Sequence, residues 1–197
     1  MTNQNAILPA IALRGTTILP GMIVHFDVSR ERSKKAIEAA MLHDQKIFLV
    51  TQIDPEVENP DVSGVYRVGT IGYIKQVVKL PQDILRVLVE GTGRAVLEDF
   101  QQDFPYLTGV ISPVKEEETL LPDTVTEAMY RSLKELFHRY CMENGKISKE
   151  LVSQILNIES LEELIEQIAV NIPLSYQNKQ KILEALTLEE RYEVLGG

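Results

Sequence analysis

The chain has 197 residues, a formal net charge of −9 and ordinary apolar and charged fractions, enough for one large domain or two small ones with a real core. The acidity disfavours nucleic acid and anionic membranes as partners, since both demand a basic surface. No apolar run approaches the roughly 20 residues that span a bilayer, the polar start at Met1–Asn5 lacks a signal-peptide n-region, and Cys141 is the single cysteine, so a cytoplasmic protein without disulfides is expected.

Residues 7–13 form a short apolar run in which Pro9 suggests an edge strand or a strand start. Leu19-Pro20-Gly21-Met22 is a turn signal, because proline fixes one φ and glycine permits a positive one. From Met22 to Val28 the sequence alternates, with Met22, Val24, Phe26 and Val28 on one face. Ser29 can cap a helix carrying Ala36, Ile37, Ala40 and Met41 on one stripe. The uncharged run Ile47–Val50 reads as a strand buried on both faces. Residues 54–64, rich in proline and carboxylates, read as a solvated loop, long enough to be mobile or functional. Val68 to Leu80 reads as a long strand bent at Gly69 and Gly72, and Pro81-Gln82-Asp83 as the turn into a hairpin partner carrying Leu85, Val87 and Val89. Gly91-Thr92-Gly93 is expected to break that partner. Residues 95–100 and 106–114 complete six or seven short strands, which suggests a compact antiparallel barrel or sandwich.

After a charged linker at Lys115–Glu118 everything reads as helix. A long helix opens at Pro122 or Asp123, with Val125, Met129, Leu133, Leu136 and Tyr140 as its stripe and Gly145 at its end. Ser148, Ser160, Ser175 and Thr187 are candidate caps of four further helices. Glu163 and Glu190 stand three residues after Ser160 and Thr187, as a capping box requires. Pro173 stops the helix that Ser160 caps.

No catalytic pattern emerges. Gly145-Lys146-Ile147-Ser148 departs from a phosphate loop, because Tyr140 stands where the first glycine belongs and the hydroxyl comes one residue late. Gly69–Gly72 and Gly91–Gly93 lack the following helix that a nucleotide fingerprint needs. His25, His43 and His138 have no metal-site spacing. Cys141 reads as a packed thiol, and the carboxylate pairs 162–163 and 189–190 as first-turn residues favoured by the helix dipole. The apolar turn at Ile18, Leu19, Pro20 and Met22 either packs in the core, the preferred reading, or exposes an apolar surface.

Several segments resemble one family. Leu8–Arg14 followed by Leu19–Met22 is similar to the opening of Lon proteases, and Ser29–Ile37 resembles their first helix. Residues 66–72 and 86–91 resemble their central hairpin, and residues 165–173 and 179–186 the helical part that precedes the long helix of the intact enzyme. Gly15 and Thr16 depart from the acidic residue that members often carry after Arg14. The order and spacing cover nearly the whole chain. The resemblance implies an α+β fold: an amino-terminal antiparallel β pseudobarrel, PUA-like with one helix inserted, over residues 1–117, then a helical bundle over 118–197.

The same resemblance implies a non-catalytic, substrate-recognising region of an ATP-dependent Lon protease, ending before the ATPase module and the serine-lysine protease module. It would need no cofactor or metal itself, ATP and Mg serving the intact enzyme. Its implied partners are unfolded or degron-tagged proteins and the other subunits of a hexameric ring. Leu19, Pro20, Met22, Tyr66 and Tyr73 are the candidate polypeptide contacts. The alternatives are a pure oligomerisation element, or a free-standing PUA-like module for a small ligand or RNA, against which the acidity counts.

Overall fold

A computed structural model describes residues 5–58, 60–114, 121–144 and 147–196. The expected charged linker at 115–118, the helix end at Gly145 and the first two residues of the 145–148 pattern lie outside them. The chain divides into two compact units, Met1–Lys115 with Ser175–Leu183, and Glu116–Leu174 with Glu184–Gly197. A sequence boundary at 117/118 groups α5 (Tyr176–Glu184) with the other carboxy-terminal helices, whereas its contacts group it up to Leu183 with the strands.

The first unit contains β1 (Ala6–Leu13), β2 (Ile23–Val28), α1 (Glu31–Met41), β3 (Lys46–Thr51), a 3-10 turn at Val62–Gly64, β4 (Val68–Leu80), β5 (Ile84–Gln102) and β6 (Thr108–Pro113). The strand order is β2-β5-β4-β3-β1-β6, and β5 also pairs with β6. Five strands therefore close on themselves, while β2 lies outside that ring along the first half of β5. Phe48, Val50, Ala95, Leu97 and Ile111 fill the interior.

Three sequence expectations change here. The sheet is mixed, because β1 and β3 run parallel, joined by a crossover through β2 and α1. β1 is no edge strand: residues 6–9 pair with β6 and residues 10–13 with β3. Pro9 ends the first half, where pairing is one-sided and a missing N–H is tolerated. Gly91-Thr92-Gly93 does not break β5 but bulges it, since Ile71 faces Gly93 while the adjacent Gly72 faces Gly91. Thr92 Oγ1 donates to Ile71 O (2.9 Å) at that bulge. Gly91 is required by crowding, as a Cβ there would stand 2.5 Å from the Leu19 carbonyl oxygen.

One more expectation is corrected at α1, and the loop before β4 is solvated as expected, with side-chain anchors. The residue preceding α1 is Arg30, with no side-chain cap, rather than Ser29. Arg30 instead turns to the backbone, donating to Ala12 O (2.6 Å) and Glu58 O (2.8 Å). Gln52 Nε2 donates to Val57 O (2.8 Å), and Arg14 Nη2 to the same oxygen (3.3 Å). The polar loop is thus anchored at Val57 and Glu58 by half-buried Arg30, buried Gln52 and exposed Arg14. Burial, and then the charges of Arg14 and Arg32, push the Arg30 guanidinium below its ordinary value.

α5 packs on this unit through buried polar contacts. Gln180 Nε2 donates to Val68 O (2.9 Å), and Arg94 Nε donates to Leu183 O (3.1 Å).

The second unit holds α2 (Asp123–Asn144), α3 (Lys149–Leu156), α4 (Leu161–Asn171) and α6 (Leu188–Gly196). Leu133, Phe137, Ile155, Leu161, Leu164, Ile165 and Ile168 form its core, with Met129, Tyr130 and Cys141 packed against it. The buried stripe of α2 is therefore 129/130–133–137–141, rotated from the expected one, and Val125 and Leu136 face solvent. The caps are as read: Ser148, Ser160, Ser175 and Thr187 accept from the N–H three residues on. The reciprocal half of the expected capping boxes differs: Glu190 reaches back to the Leu186 N–H (3.3 Å), one residue before the cap, and Glu163 makes no return bond among the described residues. Burial pushes the Cys141 thiol up, which suits a packed side chain.

Candidate functional site

Five residues carried the sequence-based expectation of polypeptide contact, and the fold treats them differently. The Leu19–Met22 turn closes with Met22 N–H on Leu19 O (3.1 Å), and Gly21 takes the left-handed φ of 90° that the turn demands. Leu19 and Met22 point into the core and are buried. Pro20 is half-buried at the rim. Tyr66 is half-buried ahead of β4, its N–H on Thr51 O (3.0 Å). Tyr73 is 38% exposed. Seven residues of extended chain separate the two tyrosines by about 23 Å, so they do not share one patch.

Tyr73 instead belongs to the outer face of the β2-β5-β4 sheet. Residues paired across strands share a face. Ile23 pairs with Glu90, which pairs with Tyr73, which pairs with Lys46. The next outward row is His25, Leu88 and Gln76, and the next Asp27, Arg86 and Val78. The first and third rows place apolar residues in solvent, Ile23 at 56% and Val78 at 40% exposure, and the middle row holds half-buried Leu88. On the opposite face of the same strands Val87 and Val89 are fully buried. The turn residues join this face at its end, since Gly21 N–H donates to Gly91 O (2.9 Å) and Gly91 N–H to Met22 O (2.9 Å).

Two ion pairs close on this face, and Lys46 stands exposed at the end of its first row. Arg86 donates through Nε and Nη2 to the two Asp27 oxygens (2.8 and 3.1 Å), and Lys75 stands 3.4 Å from Glu90. The Arg86 hydrogen bond holds the Asp27 carboxyl below the usual carboxylate range, and the same bond raises the guanidinium. Beside these pairs the face presents Ile23, Tyr73, Leu88 and Val78 together with exposed Lys46, His25 and Gln76.

Ile23 was missed in the sequence. Its signal was present: the alternation that sends Met22, Val24 and Phe26 inward sends Ile23, His25 and Asp27 outward, and isoleucine is the odd residue in that set. No group of three metal-ligating side chains occurs among the described residues, and none of their helices is long and apolar enough to cross a membrane.

Comparison with known proteins adds the lineage. The family model described as the ATP-dependent protease La (LON) substrate-binding domain matches residues 7–196. The chain is 43% identical over 195 residues to the Lon protease of Lachnoclostridium phytofermentans, covering 99% of the chain and 24% of that protein. It is 40% identical over 188 residues to the Lon protease of Brevibacillus choshinensis, covering 95% and 24%. It thus spans about a quarter of the length of these relatives. Among solved structures, the N-terminal domain of Mycobacterium avium complex Lon protease superposes with a TM-score of 0.76 at 21% identity, over 96% of both chains. The Lon N-terminal domain protein from Xanthomonas campestris gives 0.67 at 16% identity over the same shares. These two show the fold alone.

Proposed function

The chain belongs to the Lon substrate-binding domain family, and from that premise we propose that it works by holding polypeptide rather than by cutting it. In this reading it captures unfolded or degron-bearing chains, misfolded proteins and short-lived regulators among them. It then delivers them to the ATPase and serine-lysine protease modules of a longer, cytoplasmic Lon protease. ATP and Mg belong to that larger enzyme, and no catalytic role falls to the residues here.

The observation that carries the reading is the outward sheet face with Ile23, Tyr73 and Val78 in solvent and its ion pairs already closed. Ile23, Tyr73, Leu88 and Val78 alternate on this face with Glu90, His25, Gln76 and Arg86, a mixed surface on which apolar side chains of a passing polypeptide can rest. Its contacts are weak and tolerant of sequence, which suits a receptor for many chains, and several copies in a ring would raise the effective concentration. Of the five sequence-derived contacts, Tyr73 and Pro20 touch the polypeptide in this scheme. Leu19 and Met22 support the turn from beneath, and Tyr66 lies apart.

The test is binding of a permanently unfolded protein to the chain and to the double variant Ile23→Ser/Tyr73→Ser. Removing two apolar contacts of this size weakens binding by at least about tenfold, with the helical content and melting temperature little changed. Undiminished affinity in a folded variant removes this face as the receptor.

A second reading has its own observation. On α2, Val125, Leu136 and Met142 are exposed, the last at 76%. They suit self-association with other subunits. Sedimentation over a wide concentration range tests it: association that Leu136→Ser and Met142→Ser abolish supports the reading, and a strict monomer argues against strong self-association by this chain alone.

A further inference from the structure

Resting on the polypeptide-binding reading above, we propose that the outer edge of β2 takes up an extended segment of the bound polypeptide as an added strand. The edge is open: β2 pairs with β5 alone among the described residues. The phase of that pairing identifies the free groups. Gly91 N–H donates to Met22 O, so residues 22, 24, 26 and 28 turn their backbone groups toward β5. Ile23, His25 and Asp27 therefore turn theirs away, and those N–H and C=O groups meet no partner among the described residues.

Natural sheets guard such edges with proline, lysine, bulges or inward-pointing charge. The sequence Ile23-Val24-His25-Phe26-Asp27-Val28 has no proline and no lysine, and its register with β5 runs without a bulge. Its only charged side chain, Asp27, is neutralised by Arg86 (2.8 Å). The inner side is also incomplete. Val24 and Phe26 point inward beside fully buried Val89 and Val87, yet remain half-buried. An added strand would lay alternate apolar side chains over them.

The occupant is a transient polypeptide strand rather than a second copy of this chain. Six residues of strand make an edge about 20 Å long and, at a sheet thickness of about 10 Å, bury about 400 Å² in total. That is far below the roughly 1,200 Å² of a stable dimer. Two copies at a net charge of −9 each also repel one another, whereas neutral-to-basic segments do not. The substrate class is thus an extended, alternating apolar segment without acidic residues, paired through its main chain.

The probe is a lysine-flanked peptide of alternating valine and threonine, titrated by fluorescence anisotropy. A second peptide, N-methylated at two consecutive central residues, loses a donor on each edge but keeps every side chain. The chain is tested as it stands and as His25→Pro, which deletes an outward N–H and leaves the bonds to β5 intact. The parent peptide should bind at least about tenfold more tightly than its N-methylated form, and His25→Pro should lose a similar factor. Equal binding of the two peptides overturns the proposal, and that comparison needs no variant, so it decides even if His25→Pro fails to fold. A dimer of the chain that His25→Pro abolishes, with the peptide unbound, also overturns it in favour of a second copy. Capture of an unfolded protein that ignores the peptide comparison sinks the edge alone. Absence of any such capture sinks the underlying reading.

Discussion

The Lys34 ammonium lies 2.7 Å from Asp83 Oδ2 and 3.0 Å from the Asp83 carbonyl oxygen, fastening α1 to the turn between β4 and β5. Lys34 is only 6% exposed, while Asp83 is exposed and holds a positive φ of 60°. Glu31, also 2.7 Å away, completes the set around the ammonium. The hydrogen bond from Lys34 holds the Asp83 carboxyl below its ordinary range, and the bonds to Asp83 and Glu31 raise the Lys34 value.

The signs give a window. A depressed carboxyl contributes stability above its unfolded value near about 3.9, and loses it as pH falls through the lower folded value. A raised lysine contributes below about 10.4 and loses it as pH climbs through the higher folded value. Asp83→Asn should therefore melt a few degrees below the parent at pH 7. The gap should close in acid, where the parent carboxyl is itself protonated. Thermal unfolding at neutral and acid pH measures both, and a gap that persists unchanged in acid contradicts the assignment.

The two glycines flanking the β5 bulge should respond oppositely to alanine. At Gly91 a Cβ meets the Leu19 carbonyl oxygen at 2.5 Å, a backbone atom that cannot swing aside. At Gly93 nothing lies within 4 Å. Gly91→Ala is expected to cost about 2 kcal/mol or more by urea denaturation, and Gly93→Ala to stay within about 0.5 kcal/mol. Similar losses at both would mean that the bulge, and not the approach of the Leu19 turn, needs glycine.

The helical unit offers a test of its rotated stripe. Phe137 is buried among Leu133, Ile155 and Leu164, whereas Leu136 is exposed. Phe137→Ala should cost about 3–5 kcal/mol and Leu136→Ala about 0.5 kcal/mol or less, read from denaturant midpoints. The reverse order would restore the stripe through Leu136.

These cases show what local pattern carries and what it does not. Caps at Ser148, Ser160, Ser175 and Thr187 were legible because each is decided within three residues of the chain. The β4–β5 hairpin was legible because its turn chemistry and its alternation agree. The parallel β1–β3 pair was not, since alternation says which face a strand buries but never which strand it joins. The stripe through Leu136 is displaced to Phe137 because both sit near helical spacing from Leu133, and only the partner helices decide. For the candidate site, an apolar turn and two tyrosines were legible. Local pattern could not place Ile23, Tyr73 and Val78 on one face, because their rows are assembled through Glu90, Leu88 and Arg86 of a third strand.

Gln180 supplies the last prediction, because it is a polar side chain on a helix that sequence alone groups with the bundle. It is 2% exposed, and its Nε2 donates to the Val68 carbonyl at the start of β4. Nearby, Arg94 of β5 donates to Leu183 O. Buried amide bonds of this kind cost about 1–3 kcal/mol when one partner is deleted. Gln180→Ala should therefore speed hydrogen exchange at amides of β4 and β5 while leaving α2 and α4 protected. The native-state exchange pattern decides between two accounts of α5. Loss of protection in α2 and α4 instead would place α5 energetically with the helices, and loss at the strands fixes it as part of the sheet unit despite some 60 residues of intervening helical chain.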